Sequence, residues 1–324
     1  MKGSEVMAER SKKIDLDINK SRDLINAETV KLFKKYKMDM EIRELSPKTI
    51  YNYETDLYQW FTYVYENQGN QSVIELDEED ITEFIYFCKQ EGNNSRRIKR
   101  RMSSISAFYK YLRKKKLISE NPMEFIDRPK KDVDVVVQTF LTEEQVALMK
   151  EKLQEYVDNG GMLELQVYAL FSLSTMARVN AVANIRWEQI DFENRVCSDV
   201  LEKEGKIVNL YFNKEVSKLL QNLKKKREKE EINDGGYVFY SSNGGSISTT
   251  TLSDWAKKVG NMIDVPTLHP HDFRHSGSQL LKLQGMPIEM ISELLNHSGL
   301  DVTKKFYLRQ DKKKLQEAKD KFTI

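Results

Sequence analysis

Apolar residues recur at steps of three and four positions along much of this chain, and that spacing predicts a mainly helical protein. Ser46 and Pro47 mark one helix start, because serine caps free amide groups and proline fits the first turn. The inner face of this helix is formed by Ile50, Tyr53, Leu57, Trp60, Phe61 and Val64. Further helices are predicted at about 78–89 and 95–116. We expect their aromatic side chains to fill a core rather than stack on bases, because they keep the helical period.

The pattern changes near residue 141, where a second domain is predicted to begin. Thr142 and Gln145 have the spacing of a capping box, in which each side chain bonds an amide of the other residue. Helices are followed by three short extended runs, at 195–201, 207–212 and 237–240. The Glu204-Gly205 pair between the first two runs predicts a hairpin turn. Helix is expected again after Gly245.

At 324 residues the chain is longer than one ordinary domain, which favours two. The predicted organisation is a flexible N-terminal arm over 1–25, a helical domain over 26–128, a basic linker over 129–140, and a second domain with a C-terminal tail helix over 141–324.

Cysteine usage and hydropathy constrain the compartment. Cys88 and Cys197 are far apart with no second cysteine near either, which argues against a disulfide framework and fits a reducing environment. No apolar stretch reaches the roughly 18–20 residues of a membrane helix. The first twenty residues are polar and mixed in charge, unlike a signal peptide. The sequence therefore predicts a cytoplasmic protein with no membrane partner.

A net charge of +2 hides a strongly basic segment. Between Asn94 and Lys131, thirteen lysines and arginines face only three acidic residues. A solvated helix face is one interpretation, but the excess is larger than solubility requires and favours contact with the DNA backbone. The candidate phosphate contacts are Lys48, Arg96, Arg97, Lys99, Arg100, Arg101, Lys110, Arg113, Lys114, Lys130 and Lys131.

Four short segments of the second domain carry reactive side chains. They are residues 175–181 with Arg178, residues 202–206 with Lys203, residues 269–275 with His271 and Arg274, and residues 294–298 with His297, which Tyr307 follows ten positions later. These residue types suit phosphodiester transfer without a metal. Arginine neutralises phosphate oxygens with a planar fork, a hydroxyl attacks, and a proton must reach the leaving oxygen. His271 and Arg274 share one helix face at i and i+3.

Metal binding is the competing explanation for the histidine-rich third segment. His269, His271 and His275 would converge at a helix start, but no suitably spaced Asp or Cys completes a zinc site. A metal-dependent nuclease would need an acidic cluster that this chain lacks. We therefore predict no metal and no cofactor.

The four segments together resemble the boxes of the tyrosine recombinase family, also called phage integrases. The family reads roughly T-G-L-R-x-x-E, a hairpin lysine, H-x-L-R-H-T, then L-G-H and a tyrosine nine or ten residues on. Here the boxes stand as T-M-A-R-V-N-A, E-K-E-G-K, H-D-F-R-H-S and L-N-H-S-G-L-D-V-T-K-K-F-Y. The segment Ser46-Pro47-Lys48-Thr49-Ile50 and the basic helix before Asn121-Pro122 are similar to the family's core-binding domain.

The resemblance implies a fold that is mainly α with a small antiparallel β-sheet, arranged as a two-domain DNA clamp with a helical core-binding domain and a catalytic-type domain. It also implies roles for six residues. Arg178 and Arg274 would hold the scissile phosphate, Lys203 would protonate the departing 5′ oxygen, and His271 would assist proton transfer. His297 would bond the phosphate, and Tyr307 would form a 3′-phosphotyrosyl intermediate. Lys206 is a poorer candidate than Lys203, because the family's hairpin turn follows the lysine.

Several positions depart from the family pattern. Met176 and Ala177 replace the glycine and leucine before Arg178, Ala181 replaces the acidic residue three positions after it, and Asn296 replaces the glycine before His297. The reactive side chains all remain. The primary hypothesis is site-specific recombination for a prophage or mobile element, and the alternative is a DNA-binding regulator of the phage repressor type that has lost catalysis.

The C-terminal tail predicts a charged helix with Leu315, Ala318 and Phe322 on one stripe. Packing on its own domain is the simplest interpretation of this stripe. In the family such a tail docks on a neighbouring protomer, and the resemblance therefore implies homo-oligomers on double-stranded DNA.

Overall fold

The computed structural model describes residues 14, 16–130, 140–202 and 205–296. The chain forms two compact units, Met1–Val137 and Gln138–Ile324. Both are dominated by helices, and the second also contains a small antiparallel sheet, as predicted. Within the described ranges, no helix is both long enough and apolar enough to cross a bilayer. The predicted limits of the arm, linker and domains remain predictions.

The first unit is built from helices. Its elements are α1 (Ile18–Ser21), α2 (Ala27–Ile42), α3 (Pro47–Asn67), α4 (Glu78–Gln90) and α5 (Ser95–Lys114). Ser46 caps α3 through a bond from the Thr49 amide, and Pro47 occupies the first turn, as the sequence predicts. Asn94 caps α5 in the same way. The predicted limits of these helices are therefore correct to within two residues.

Aromatic rings form the centre of the first unit. Trp60, Phe61, Phe108 and Tyr109 are almost completely buried, and their rings contact one another across α3 and α5. The Tyr109 hydroxyl donates to the carbonyl of Val73, which satisfies a polar group inside the core. The expectation that aromatic side chains fill a core is confirmed for these four residues.

Residues before α2 also pack on the first unit. Ile14 and Ile25 are buried, and α1 packs on α3 through a hydrogen bond between the hydroxyls of Ser21 and Thr62, 2.9 Å apart. A four-residue helix is too short to show a helical period in its sequence, which explains why the pattern missed it.

The second unit places a three-stranded sheet among seven helices in the part that the structure describes. In chain order the elements are α6 (Glu143–Asp158), α7 (Leu163–Thr175), α8 (Val179–Asn184), β1 (Ile190–Asp191), β2 (Val196–Leu201), β3 (Ile207–Tyr211), α9 (Lys214–Lys229), α10 (Thr249–Met262), α11 (Pro270–Leu283) and α12 (Ile288–Leu294). The Thr142 and Gln145 capping box at the start of α6 is present as predicted.

The sheet has the order β1-β2-β3 and is antiparallel throughout. Strands β2 and β3 are the predicted hairpin, with Val196 opposite Tyr211 and Leu201 opposite Ile207. The third predicted extended run, 237–240, does not join the sheet. Its ends make single bridges instead, from Tyr237 to Arg186 and from Tyr240 to Ser246.

Helix α7 is the centre of the second unit, buried on nearly all sides and packed against α11. The rings of Tyr168 on α7 and Phe273 on α11 meet edge to face with centroids 5.8 Å apart. Close approach of the two helices depends on Gly277, because a β-carbon there would lie 2.3 Å from the carbonyl oxygen of Leu173. This contact fixes α11, and with it His271 and Arg274, relative to the end of α7.

We predict that Gly277→Ala destabilises the second unit by about 1–3 kcal/mol, because the added methyl group must push two helix backbones apart. Chemical denaturation measures the change. Gly245→Ala is the control, since the nearest atom to its new β-carbon would be 3.8 Å away. Equal stability of the two variants would contradict the tight contact.

Candidate active site

Arg178 lies where α7 ends and α8 begins, as the N-cap residue of α8. Its side chain is 33% exposed, and its Nη1 donates to Oε2 of Glu202, whose side chain is 1% exposed. Glu202 directly follows β2, which packs against α8. The sequence assigned no role to Glu202, and the only signal was an acidic residue beside the hairpin lysine.

Two of the departures from the family pattern fall on left-handed backbone. Met176, at the C-terminal end of α7, has φ 55°, and Asn296 has φ 52°. Glycine adopts this conformation without steric cost, and asparagine tolerates it better than most residues. Methionine does not, but its side chain is buried against Ile291 and Leu295, which offsets part of the strain. Both replacements therefore stand at positions where glycine would be the least strained residue.

Arg274 connects the first box to the fourth. It lies on α11 and is only 7% exposed. Its Nη1 donates to the carbonyl of Met176 and its Nη2 to the carbonyl of Leu295, both at 2.6 Å. A guanidinium presents several donors in a fixed plane, which lets one side chain bridge two chain segments. Arg274 is therefore a buried positive charge that also positions the segments on both sides of it.

His271 is exposed at the start of α11, close to both arginines. Partial desolvation of its ring lowers its pKa below the ordinary value, and electrostatic repulsion from His269, Arg274 and Arg178 lowers the pKa further. Asp272 opposes them, and its carboxylate also bonds the His269 ring at 2.5 Å. The neutral form of His271 is thus favoured near pH 7, which leaves a ring nitrogen able to accept a proton.

The structure brings Arg178, His271 and Arg274 together, and Lys206 approaches the fourth box. The Lys206 ammonium donates to the carbonyl of Asn296 at 2.7 Å, so the end of the β2–β3 hairpin is tied to the residue before His297. Lys203, His297 and Tyr307 lie outside the described residues. The predicted roles of these three residues remain predictions.

In the described ranges, the histidine-rich segment brings no group of three potential metal ligands together. The rings of His269 and His271 have centroids 6.2 Å apart, and His269 is engaged with Asp272.

Most of the candidate phosphate contacts of the first unit lie on its surface. The exposed ones are Lys48 on α3, Arg96, Arg100, Lys110, Arg113 and Lys114 on α5, and Lys130 beyond it, while Arg97 and Lys99 are half-buried. Lys131 lies outside the described residues. Arg100 is held by Asp56, whose buried carboxylate accepts from Arg100 Nη2 at 2.5 Å and from the Ser104 hydroxyl at 2.9 Å.

Arg101 does not belong to this surface, and its prediction as a DNA contact is corrected. Its side chain is 1% exposed, and its Nε donates to Oδ1 of Asn93 at 3.1 Å. Burial lowers the pKa of its guanidinium, with the nearby Cys88 and Asp56 opposing. Position 101 lies three residues after Ile98 and four before Ile105, so the helical period places it on the inner face despite its charge.

Comparison with known proteins identifies the family. Residues 139–314 match the model described as the phage integrase family, and residues 33–116 match the phage integrase N-terminal SAM-like domain. The chain belongs to the phage integrase family of tyrosine recombinases. It is therefore a DNA strand transferase by family.

Similar proteins align along nearly the whole chain. Tyrosine recombinase XerC of Pediococcus pentosaceus is 26% identical over 91% of this chain and 97% of its own length. Tyrosine recombinase XerD of Oceanobacillus iheyensis is 25% identical over 81% and 87%. The structure of the XerH site-specific recombinase bound to palindromic difH substrate superposes with a TM-score of 0.70 at 18% identity, covering 85% of this chain and 80% of that one, which shows a shared fold.

Acid is expected to destabilise the second unit through its histidines. The pKa values of His271 and His275 are both lowered, first by partial desolvation of the rings, so the unfolded chain binds protons more readily than the folded one. The free energy of unfolding should therefore fall as the pH drops below the ordinary histidine pKa of about 6.5. Denaturation at several pH values measures this slope. Replacing both histidines with glutamine should flatten the slope, and an unchanged slope would contradict the assignment.

Proposed function

We propose that this tyrosine recombinase exchanges DNA strands at a specific site, with Tyr307 as the nucleophile. The observation that supports the proposal is the convergence of Arg178, His271 and Arg274 in a chain whose family boxes also supply Lys203, His297 and Tyr307 in matching order.

In the proposed reaction the Tyr307 hydroxyl oxygen attacks the scissile phosphorus. A new P–O bond to the tyrosine forms, and the bond to the 5′ oxygen breaks. Lys203 gives a proton to that oxygen, and His271, held neutral, assists removal of the tyrosine proton. The bond energy stays in the phosphotyrosyl link, so religation needs no ATP.

The two arginines differ in their proposed parts. Arg178 is the more exposed and contacts the phosphate directly through its planar fork. Arg274 is buried and bonded to two carbonyls, and it contributes fixed positive charge beside the developing charge on phosphorus. His297 completes the set by bonding a phosphate oxygen. The energetic effect is large because such charges are already oriented before the reaction begins.

We also propose that both units contact duplex DNA, with the basic surface of α5 on the phosphate backbone. Arg100 is preorganised for this contact, since the buried Asp56 holds its guanidinium while 47% of the side chain stays exposed. Action in the cytoplasm is consistent with the two buried free thiols, Cys88 and Cys197. Service to a prophage or mobile element is the finer proposal, which the location of the target site in the source genome would decide.

The reaction predicts a covalent protein–DNA adduct. DNA fragments retained by the chain would first be recovered from the source genome, then rebuilt with a nick that lets the cleaved end diffuse away. The native chain should become covalently attached, with or without a chelator, and Tyr307→Phe should abolish the adduct while keeping DNA affinity. Tyr86→Phe, at an exposed tyrosine on α4, is the matched control. Tight binding with no adduct from the native chain would favour the regulator instead.

The tail predicts cooperative assembly on DNA. Removing the residues after Gln310 deletes the Leu315, Ala318 and Phe322 stripe, and it should weaken cooperative binding to a two-site duplex while leaving single-site affinity nearly unchanged. Mobility-shift titrations on one-site and two-site duplexes separate the two quantities. Unchanged cooperativity would contradict oligomerisation through the tail.

A further inference from the structure

The first box lacks the carboxylate that the family pattern places three residues after its arginine. Position 181 carries alanine, which is completely buried in α8, and its amide donates to the carbonyl of Arg178 at 2.9 Å. An arginine that must meet a phosphate in one orientation needs a fixed acceptor behind it, because its long side chain otherwise samples many rotamers. The residue at 181 cannot provide that acceptor.

Glu202 provides it from a different element. Its Oε2 accepts from Nη1 of Arg178, and the burial of the two side chains is strongly unequal, at 33% exposed for the arginine and 1% for the glutamate. The carboxylate therefore lies on the protein side of the guanidinium, and the exposed part of the arginine is directed to solvent. This is the arrangement expected if one donor orients the group and others meet an incoming anion.

The pair is poorly explained as a device for stability. Oε1 of Glu202 is buried with no hydrogen-bond partner in the described part of the chain. Burying a carboxylate with one oxygen unsatisfied lowers the free energy of unfolding, and attraction to a partly exposed arginine offsets only part of this loss. A well-packed apolar residue at position 202 would favour stability more, so the carboxylate indicates a role in the candidate active site.

The place of Glu202 in the chain adds a second connection. It is the first residue after β2, its amide donates to the carbonyl of Lys206 at 2.7 Å, and Lys203 follows it directly in sequence. The contact with Arg178 therefore also fixes the base of the hairpin whose next residue is the candidate proton donor.

We propose that Glu202 is the positioning residue of Arg178, taking the part of the carboxylate that is absent at position 181. It acts through the arginine and does not touch the DNA. The inference rests on the proposed contact between Arg178 and the scissile phosphate. The contact joins a hairpin residue of the second box to the arginine of the first box, so that each box helps to position the other.

A double-mutant cycle on stability tests the pairing without any DNA. Arg178→Ala should lower the unfolding midpoint, since Glu202 is left buried and unpaired, and adding Glu202→Gln should recover part of that loss. Glu188→Gln is the control. The Glu188 side chain is 75% exposed, and its contact with Arg186 is long, at 4.0 Å, so losing its charge should change stability little. Additive effects of the Arg178 and Glu202 changes would overturn the pairing.

Catalysis on two substrates tests the positioning role. On the nicked duplex described above, Glu202→Gln should slow adduct formation roughly a hundredfold, as expected for a misplaced charge, with DNA affinity unchanged. A second duplex carries a neutral methylphosphonate at the scissile position, where the arginine charge matters less. On the methylphosphonate duplex, Glu202→Gln and Arg178→Ala should each form the adduct at nearly the rate of the native chain.

The outcomes separate this inference from the proposed function. An equal slowing of Glu202→Gln on both substrates would mean that Glu202 does not act through the Arg178 charge, and the inference would fall. Unchanged rates on the phosphate duplex would also overturn it. If the native chain forms no adduct at all, the proposed function fails, while the stability cycle still decides whether Glu202 holds Arg178.

Discussion

The close contact between α7 and α11 is the constraint on which the candidate site depends. It requires Gly277, because any side chain there would meet the backbone of α7. Once the helices touch, Arg274 lies beside the end of α7 and bonds the carbonyls of Met176 and Leu295. The first, third and fourth boxes are therefore held by one helix pair and one guanidinium, although Met176 lies 98 positions before Arg274 and Leu295 lies 21 positions after it.

Each of the two units holds one partly exposed arginine in the same way. Arg178 is held by the buried carboxylate of Glu202, and Arg100 is held by the buried carboxylate of Asp56. In each case the arginine remains partly exposed while its partner is 1% exposed. Such a pair orients the guanidinium but lowers stability, because the carboxylate loses its hydration while the cation remains partly hydrated. The ion pair gives a flexible surface arginine a fixed side-chain orientation.

The features that sequence could predict are local ones. The cap at Ser46, the capping box of Thr142 and Gln145, and the β2–β3 hairpin each depend on residues within a few positions of one another, and all three are present. The prediction that Arg101 contacts DNA is wrong because it rests on charge alone. The helical period places this residue on the inner face of α5, between Ile98 and Ile105.

The features that sequence missed are those that depend on tertiary structure. Glu202 meets Arg178 across 24 positions, and only the return of β2 beside α8 brings them together. No spacing rule connects a helix start to a strand end. The absence of an acidic residue at Ala181 was visible, but it indicated a gap without showing what fills it. Methionine itself does not predict the left-handed backbone at position 176, and the one sign of it was the glycine that the family pattern has there.

That left-handed residue has a consequence for how mutations in this chain should be interpreted. The carbonyl of Met176 is an acceptor for Arg274, and its direction is set by the φ and ψ angles of residue 176 itself. A substitution that relaxes these angles would rotate the acceptor and release one donor of a buried cation, without altering any charged side chain. The backbone angles of residue 176 thus control the electrostatics of the site. Exchanging Met176 for another apolar residue can therefore change the environment of the Arg274 charge, although the exchange itself involves no charged group.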